Sequence, residues 1–246
     1  MTALLGLGLV LLASILLLAL TFIKRKAPPV FREIAALTRL RQAAGLAVED
    51  GTRLHISLGR GGLVTSRAAA SLSALALLRQ IGGQTSISDR PPIATSGDPL
   101  LAVLSQDTLN AAYHSAGVEE LFEPTSGRLG GLTPFSYAAG AMTVTHQDQV
   151  STDVLMGDFG PELGLLTEAA ERENAMLIAA TSDPTSQSIL FASTNEPLVG
   201  EELFAAPAYI GNDPAQRASL QVQDILRWLI ILALLAAAGL KMAGML

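Results

Sequence analysis

Four loops of the chain carry residue types that could bind a ligand, and each follows a predicted β-strand. The first loop, after the predicted strand Arg53–Leu58, reads GRGGLVTS from Gly59 to Ser66. Its glycines would let backbone N–H groups approach an anion, and the start of the next helix would add a partial positive charge. The loop departs from the dinucleotide fingerprint G-x-G-x-x-G, because Val64 stands where the third glycine would be. We expect either an anion site or only a tight turn here.

The other three loops carry hydroxyl and carboxylate side chains. They read TSGD (95–98), DFGPE (158–162) and TSD (181–183). Helix capping alone would select Asp98, Asp183 and Ser66. Asp158 is not needed as a cap, so it is the carboxylate that we first consider as a metal or hydroxyl ligand. The candidate ligand-binding residues are Gly59, Arg60, Gly61, Gly62, Ser66, Ser96, Asp98, Asp158 and Ser182.

The composition excludes several kinds of chemistry. Residues 27–225 contain no lysine, which removes a Walker A lysine and a Schiff-base lysine. The chain has no cysteine, and its three histidines, His55, His114 and His146, lack metal-ligand spacing. No G-x-S-x-G elbow occurs. We therefore predict no cofactor, no metal and no catalytic residues, and His55 is expected to be a core residue.

The charge of the chain argues against nucleic acid as a partner. Residues 27–225 hold 22 Asp and Glu against 11 Arg, a net charge of −11. Nucleic-acid binding depends on neutralising phosphates, so this region should repel DNA and RNA.

Strands and helices are predicted to alternate along the interior of the chain. The predicted strands are 53–58, 92–96, 153–157 and 176–180, and the predicted helices are 66–81, 99–116, 134–149, 161–174 and 184–194. The helix at 66–81 is expected to stop at Gly82-Gly83, and the FAAPAYI run (204–210) reads as an edge strand. Residues 120–132 are either a strand with a loop or a loop only. Repeated strand–helix units predict an α/β fold, with a Rossmann-like, mostly parallel sheet and helices on both faces.

Both ends of the chain are strongly apolar. Residues 2–23 carry no charge, and residues 228–246 carry one, Lys241. A membrane span needs about 20 apolar residues, so each end predicts a transmembrane helix. No small-x-small site follows the first segment, which favours an anchor over a removable signal peptide. Lys241 either reaches the far membrane face or lies in a helix–helix interface.

The predicted organisation therefore has four parts. They are a transmembrane helix (2–23), an amphipathic neck helix (27–47), a Rossmann-like domain (48–212) and a helix continuing into the second span (213–246). The neck helix lies either on the membrane or against the domain. Lys24-Arg25-Lys26 directly follows the first span, and such charge stays cytoplasmic. We expect a two-pass protein of the inner cell membrane with its domain in the cytoplasm.

Four stretches of the sequence resemble an uncharacterised bacterial family. They are VEDGTRLHISLGRGGL (48–63), SGDPLLAVLSQDTLNAAYHSAG (96–117), DVLMGDFGPELGLL (153–166) and PLVGEELFAAPAYIG (197–211). The family is identified as membrane-anchored proteins of the Chloroflexi type with a domain of unknown function. The resemblance implies a domain between terminal helices, but it implies no activity and no site residues.

Three functions fit these features. The first is a non-enzymatic, homo-oligomeric scaffold or assembly protein in the lipid bilayer, which associates through its transmembrane helices. Small residues that suit close helix contact support it: Gly6, Gly8, Ala236 to Gly239, Ala243 and Gly244. The alternative is a membrane-tethered sensor that binds a nucleotide or other small anion in the crevice at Gly59–Ser66. A metal enzyme using Asp158 is a third, weaker interpretation.

Overall fold

The structure is a computed structural model, and it describes residues 2–23 and 31–242. It divides into two compact units. One consists of the two chain ends, residues 1–32 and 212–246, and the other is the domain, residues 33–211.

The domain contains one six-stranded sheet in which all paired strands are parallel. Its strands are β1 (Arg53–Gly59), β2 (Ile93–Ser96), β3 (Gly127–Leu129), β4 (Val150–Asp158), β5 (Met176–Thr181) and β6 (Leu198–Val199). Their spatial order is β3-β2-β1-β4-β5-β6. This is the order of the doubly wound dinucleotide-binding fold, whose direction reverses between β1 and β4 at a topological switch point. The predicted α/β class and parallel sheet are confirmed.

In chain order the α-helices of the described residues are α1 (Thr2–Ile23), α2 (Ala35–Glu49), α3 (Ala68–Thr85), α4 (Pro99–Ala116), α5 (Pro134–Gln147), α6 (Leu163–Arg172), α7 (Pro184–Ser193), α8 (Glu202–Ile210) and α9 (Pro214–Met242). Those of the domain, α2 to α8, cover both faces of the sheet. Side chains of α2, α3, α4 and α8 form one buried cluster with the sheet, and those of α5, α6 and α7 form a second. Along β1, Ile56 and Leu58 join the first cluster, so the alternating residues His55 and Ser57 face the α5 layer.

α3 does not stop at Gly82-Gly83 as the sequence suggests, but continues to Thr85. Gly82 is buried, and a Cβ atom there would lie 2.9 Å from Leu109 Cδ2 of α4. This glycine therefore allows two helices to approach closely, and it is compatible with a helix interior because the tertiary contact outweighs its low helix propensity. Residues 120–132, which the sequence left open, contain two short 3₁₀ turns and β3.

The FAAPAYI run is helical, in α8, and the edge strand is instead β6. The edge-strand prediction for this run is therefore wrong. Leu203, Ala206 and Ile210 recur at helical spacing and pack in the first cluster, which decides the structure. Pro207 lies inside α8 and cannot donate to the carbonyl of Leu203. The hydroxyl of Ser73 on α3 donates to that carbonyl at 2.8 Å, so the proline leaves no acceptor unpaired.

The helix after the first apolar segment, α2, begins at Ala35, later than the sequence suggests. It packs against the domain: Leu37 and Leu40 are buried in the same cluster as α3 and α8. Residues 24–30, which include Lys24-Arg25-Lys26, lie outside the described residues. The inferred membrane orientation therefore rests on the sequence alone.

The unit of the chain ends contains two helices that could cross a membrane by length and composition, α1 and α9. They contact each other. α9 is a continuous helix of 29 residues, whose apolar part begins near Trp228. Residues 243–246, including the small residues Ala243 and Gly244, lie beyond the described part of α9.

Candidate functional site

The four loops predicted from the sequence lie at the carboxyl edge of the same sheet. They follow β1, β2, β4 and β5, which are neighbours in the order β2-β1-β4-β5. Gly59 at the end of β1 pairs with Asp158 at the end of β4. Ligands of open α/β sheets bind beyond this edge, at the point where the strand order reverses. We call the surroundings of these two residues the switch-point crevice.

The first two N–H groups of the glycine loop make hydrogen bonds within the protein. Gly59 has φ +77°, a left-handed conformation that favours glycine. Its N–H donates to the Tyr137 hydroxyl at 3.1 Å, and its carbonyl accepts from Gly97 N–H at 2.9 Å. The N–H of Arg60 donates to the carbonyl of Asp158 at 2.8 Å. These two N–H groups are therefore not available to an anion.

Gly61 is required for packing. A Cβ atom there would lie 2.6 Å from Asp158 Cβ and 2.8 Å from Ser71 Oγ. The Ser71 hydroxyl in turn donates to the Gly61 carbonyl at 2.6 Å. The loop is thus wedged between α3 and the end of β4, with no room for a side chain.

Two backbone donors in this loop remain available. Gly61 and Gly62 are buried, yet among the described residues their N–H groups have no hydrogen-bond partner. Most buried backbone N–H groups are paired, so an unpaired adjacent pair is unusual. Asp98 lies beside them, since its Oδ2 atom would be 3.2 Å from a Cβ at Gly62.

A partly buried ion pair lies next to the crevice. Arg60 Nε lies 2.6 Å from Glu162 Oε1, which also accepts from Gly160 N–H at 2.8 Å. The Glu162 side chain is fully buried, and its Oε2 atom has no hydrogen-bond partner within the described chain. Burying a carboxylate is costly unless a paired charge compensates it, as Arg60 does here.

A second arginine joins three of the loops. Arg67 Nη1 lies 3.0 Å from Asp158 Oδ1, and Nη2 lies 3.4 Å from Asp183 Oδ1. The hydrogen bond to Asp158 raises the pKa of Arg67. The pKa of Asp183 is lowered, first by the backbone N–H of Ser186 and further by Arg67. Half of the Arg67 side chain is exposed, so it can also reach a ligand.

Several predicted site residues have structural roles. Asp98 Oδ1 caps α4 by accepting from Leu101 N–H at 2.9 Å, and Asp183 caps α7 in the same way. Ser96 is buried, and its hydroxyl donates to the carbonyl of Asp98. Ser182 is half-buried at the end of β5. Ser66 is exposed and does not cap α3, whose N-cap residue is Arg67 without a side-chain hydrogen bond.

Two residues of the crevice were absent from the candidates drawn from the sequence, Glu162 and Tyr137. The sequence places Glu162 only in the loop 158–162 and in the first turn of the predicted helix 161–174, and Tyr137 only in the predicted helix 134–149. Their partners, Arg60 and Gly59, lie 102 and 78 residues away in the chain. A signal did exist for Glu162, because an acidic residue stands in a loop that follows a buried strand.

A second concavity lies at the opposite edge of the domain. It has a volume of about 230 Å³ and is lined by the start of β5, by α2 and by the residues after α7. The charged side chains that line it, Arg39 and Glu196, pair with each other at 3.0 Å. It lies away from the switch point, and nothing in its lining points to a ligand.

Comparison with known proteins identifies the family. The family model described as "Domain of unknown function (DUF6754)" matches residues 2–245. The chain belongs to this family. No curated protein and no solved structure matches it. The predicted resemblance to a family with a domain of unknown function is confirmed, whereas its bacterial, Chloroflexi-type origin stays a prediction.

The charges of the crevice limit what it can bind. Four carboxylates, of Asp98, Asp158, Glu162 and Asp183, surround two guanidinium groups, of Arg60 and Arg67. Acceptors therefore outnumber cations, so a bare polyanion would be repelled. Within the described ranges no group of three or more His, Cys, Asp or Glu side chains could hold a metal ion. The arrangement suits a ligand that offers hydroxyl donors as well as one anionic group.

Proposed function

We propose that this chain is a membrane-anchored binding protein whose domain takes a small molecule with both a phosphate and sugar hydroxyls, such as a nucleotide. The ligand would occupy the switch-point crevice. The observation that carries this proposal is the pair of buried N–H groups of Gly61 and Gly62, which have no hydrogen-bond partner among the described residues and lie at the point where the strand order reverses.

The donors of the crevice fit a phosphate. The N–H groups of Gly61 and Gly62 lie in the loop that leads into α3. The first turn of α3 has no side-chain cap and no acidic residue, so its N–H groups and helix dipole favour an anion. Arg67 at the N-cap adds a half-exposed guanidinium group, which forms charge-assisted hydrogen bonds with phosphate oxygens.

The acceptors of the crevice fit hydroxyl groups. Asp98 Oδ2 lies beside Gly62, and the Asp158 carboxylate lies beside Gly61. An ionised carboxylate is only an acceptor, so its natural ligand partners are hydroxyl or amine donors. A nucleotide supplies such donors on its ribose, and inorganic phosphate does not.

Thermal unfolding of the detergent-purified full chain tests this proposal. AMP, ADP, ATP and NAD are compared with inorganic phosphate at equal concentrations. A ligand at one hundred times its Kd stabilises the folded state by about 2.7 kcal/mol, which a melting curve resolves. We expect at least one nucleotide to raise Tm and phosphate alone to have little effect.

Two arginine variants make the test specific. Arg67→Gln should remove the nucleotide-dependent shift. Arg172→Gln is the matched control, because Arg172 is also exposed and paired with a carboxylate, Glu168, but lies far along α6 from the carboxyl edge. The proposal fails if no nucleotide changes Tm, or if both variants respond as the wild type does.

A homo-oligomeric scaffold in the lipid bilayer is the second candidate function. Its support is that Cβ atoms added at Gly6, Gly8 and Gly239 would meet nothing within 4 Å. These glycines therefore do not serve contacts within the described chain, and small residues on free helix surfaces suit association between chains. A cytoplasmic domain remains part of both proposals, on the strength of Lys24-Arg25-Lys26.

A further inference from the structure

The Arg60 side chain is fixed both along its aliphatic part and at its Nε atom. The aliphatic part lies against the loop after β2, because a Cβ atom at Gly97 would be only 2.6 Å from Arg60 Cγ. The Nε atom donates to Glu162 Oε1 at 2.6 Å, in the loop after β4. Glu162 Oε1 also accepts from Gly160 N–H at 2.8 Å, and the Glu162 side chain is fully buried. The guanidinium group of Arg60 is therefore held in place without a ligand.

Two nitrogen atoms of this guanidinium group remain available as donors. Among the described residues, Arg60 Nη1 and Nη2 have no hydrogen-bond partner. The Arg60 side chain is 29% exposed, so a ligand can reach it. Arg67 differs, because its Nη1 and Nη2 atoms lie 3.0 and 3.4 Å from the carboxylate oxygens of Asp158 and Asp183. Of these two arginines, Arg60 is the one whose two Nη atoms are not already occupied by carboxylates.

The position of Arg60 suits contact with a phosphate group. A guanidinium group is a planar fork of donors that matches two oxygens of one phosphate. The backbone of Arg60 is anchored at the switch point, since its N–H donates to the carbonyl of Asp158 at 2.8 Å. Arg60 directly precedes Gly61 and Gly62, whose N–H groups have no partner in the described part of the chain. Three consecutive residues therefore supply donors that a single phosphate group could use.

The charge of Glu162 limits which phosphate fits. Glu162 cancels the charge of Arg60, and the crevice as a whole has four carboxylates against two guanidinium groups. A terminal phosphate monoester carries about two negative charges above pH 7, whereas a phosphodiester carries about one. The second charge of a monoester adds repulsion from the carboxylates. The crevice should therefore favour the singly charged phosphate.

We propose that Arg60 binds the phosphate of the ligand through Nη1 and Nη2, and that the charge of Glu162 makes the crevice select a phosphodiester over a terminal phosphate monoester. Glu162 is a positioning residue, because its hydrogen bonds are made to Arg60 and Gly160 and not to the ligand. This inference rests on the proposed function for the nucleoside part of the ligand.

The test compares AMP with its methyl ester in titrations of the detergent-purified full chain at pH 8. The two ligands share the base and the ribose hydroxyls, but AMP carries about two negative charges and the ester about one. We expect the ester to bind about tenfold more tightly, since the extra charge of AMP meets an excess of carboxylates. Wild-type protein that binds AMP as tightly as the ester, or more tightly, overturns the proposed selection.

Glu162→Gln tests the selection directly. The amide oxygen of glutamine can still accept from Arg60 Nε and from Gly160 N–H, so the variant removes the charge and keeps the acceptor. We expect AMP to gain affinity and the preference for the ester to fall at least about threefold. Glu168→Gln is the matched control, because Glu168 is also paired with an arginine, Arg172, but lies on the exposed face of α6. An unchanged preference in Glu162→Gln refutes the role of its charge.

The role of Arg60 is tested with a charge-balanced variant. Arg60→Gln alone leaves Glu162 buried without its cation, which is strongly destabilising. Arg60→Gln combined with Glu162→Gln removes both charges, so the net charge of the pair is unchanged and a loss of binding reports on the missing guanidinium donors. We expect the methyl ester to bind at least about tenfold more weakly, as for one or two lost charge-assisted hydrogen bonds. Wild-type affinity in the folded double variant overturns the proposal.

Two ligands without a nucleoside separate this inference from the proposed function. Methyl phosphate and dimethyl phosphate have the same two charge states and are titrated at millimolar concentrations. If nucleotides do not bind the wild type, but dimethyl phosphate does and the double variant loses it, the proposed function fails and the Arg60 site stands. If AMP or its ester binds but the variants behave as the wild type does, this inference fails and the proposed function stands. Absence of binding by all four ligands overturns both.

Discussion

Gly61→Ala measures how tightly the glycine loop is wedged in the switch-point crevice. The added methyl group would lie 2.6 Å from Asp158 Cβ and 2.8 Å from Ser71 Oγ. Carbon atoms prefer separations of about 3.5–4.0 Å, so each neighbour would have to move by roughly 1 Å. Asp158 cannot retreat freely, because its carbonyl accepts from Arg60 N–H and its carboxylate binds Arg67. The backbone of Gly61 is not left-handed, so the cost is steric.

The expected cost follows from similar cases of overpacking. Such changes destabilise by about 1–3 kcal/mol, and the fixed position of Asp158 places Gly61→Ala in the upper half of this range. For a domain of this size each kcal/mol lowers Tm by roughly 2–4 °C, so we expect a decrease of roughly 4–12 °C. Gly61→Val, with a larger side chain, should destabilise more.

Thermal or urea unfolding of the full chain checks this expectation, and Gly83→Ala is the control. Gly83 lies within α3, is exposed, and a Cβ atom there would meet nothing within 4 Å. Alanine is the better helix former, so Gly83→Ala should stabilise by about 0.5–1 kcal/mol. Opposite signs for the two variants are the result we expect. A Gly61→Ala protein as stable as the wild type would refute the wedged loop.

Three further changes test other parts of the structure. Gly82→Ala should destabilise the protein by about 1 kcal/mol in urea unfolding, because its methyl group would press on the end of the flexible Leu109 side chain. A gain in stability like that of Gly83→Ala would contradict the close contact of α3 and α4. Gly239→Leu should weaken homo-oligomers in native mass spectrometry, and a monomeric wild type would exclude them. Ser188→Cys places a single cysteine at an exposed site of a chain that has none, and it should react with membrane-impermeant maleimide only after lysis. Labelling in intact cells would place the domain outside the cytoplasm.

Elements with local boundary signals could be predicted closely from the sequence. α4 begins and ends as expected, because Asp98 caps its first turn, Pro99 occupies its first position, and Gly117 adopts φ +73° directly after it. These interactions span three or four residues, so the sequence contains both partners side by side. α1 and the start of α9 were predictable for a similar reason, since long apolar runs and an Asp-Pro pair need no distant partner.

Elements that depend on tertiary contact could not be predicted in this way. A glycine pair usually ends a helix, but Gly82 lies where α4 approaches α3. No local sequence pattern indicates that approach. The apolar run of α8 is short enough for either a strand or a helix. It became a helix because one face meets the core and because Ser73, 130 residues earlier, satisfies the carbonyl that Pro207 leaves without a donor.

The switch-point crevice contains both a feature that could be predicted from the sequence and one that could not. Its location was predictable, because parallel strands bring the loops at their carboxyl ends to one edge. Its chemistry was not, because every contact that sets it joins distant residues: Arg60 to Glu162, Arg67 to Asp158, and Gly59 to Tyr137. The glycine pattern alone suggested three amides directed at one anion. In the structure the Gly59 and Arg60 N–H groups make hydrogen bonds within the protein, whereas those of Gly61 and Gly62 have no partner in the described part of the chain. A glycine-rich loop therefore indicates where a backbone can come close, and only the partners across the sheet determine which of its N–H groups remain for a ligand.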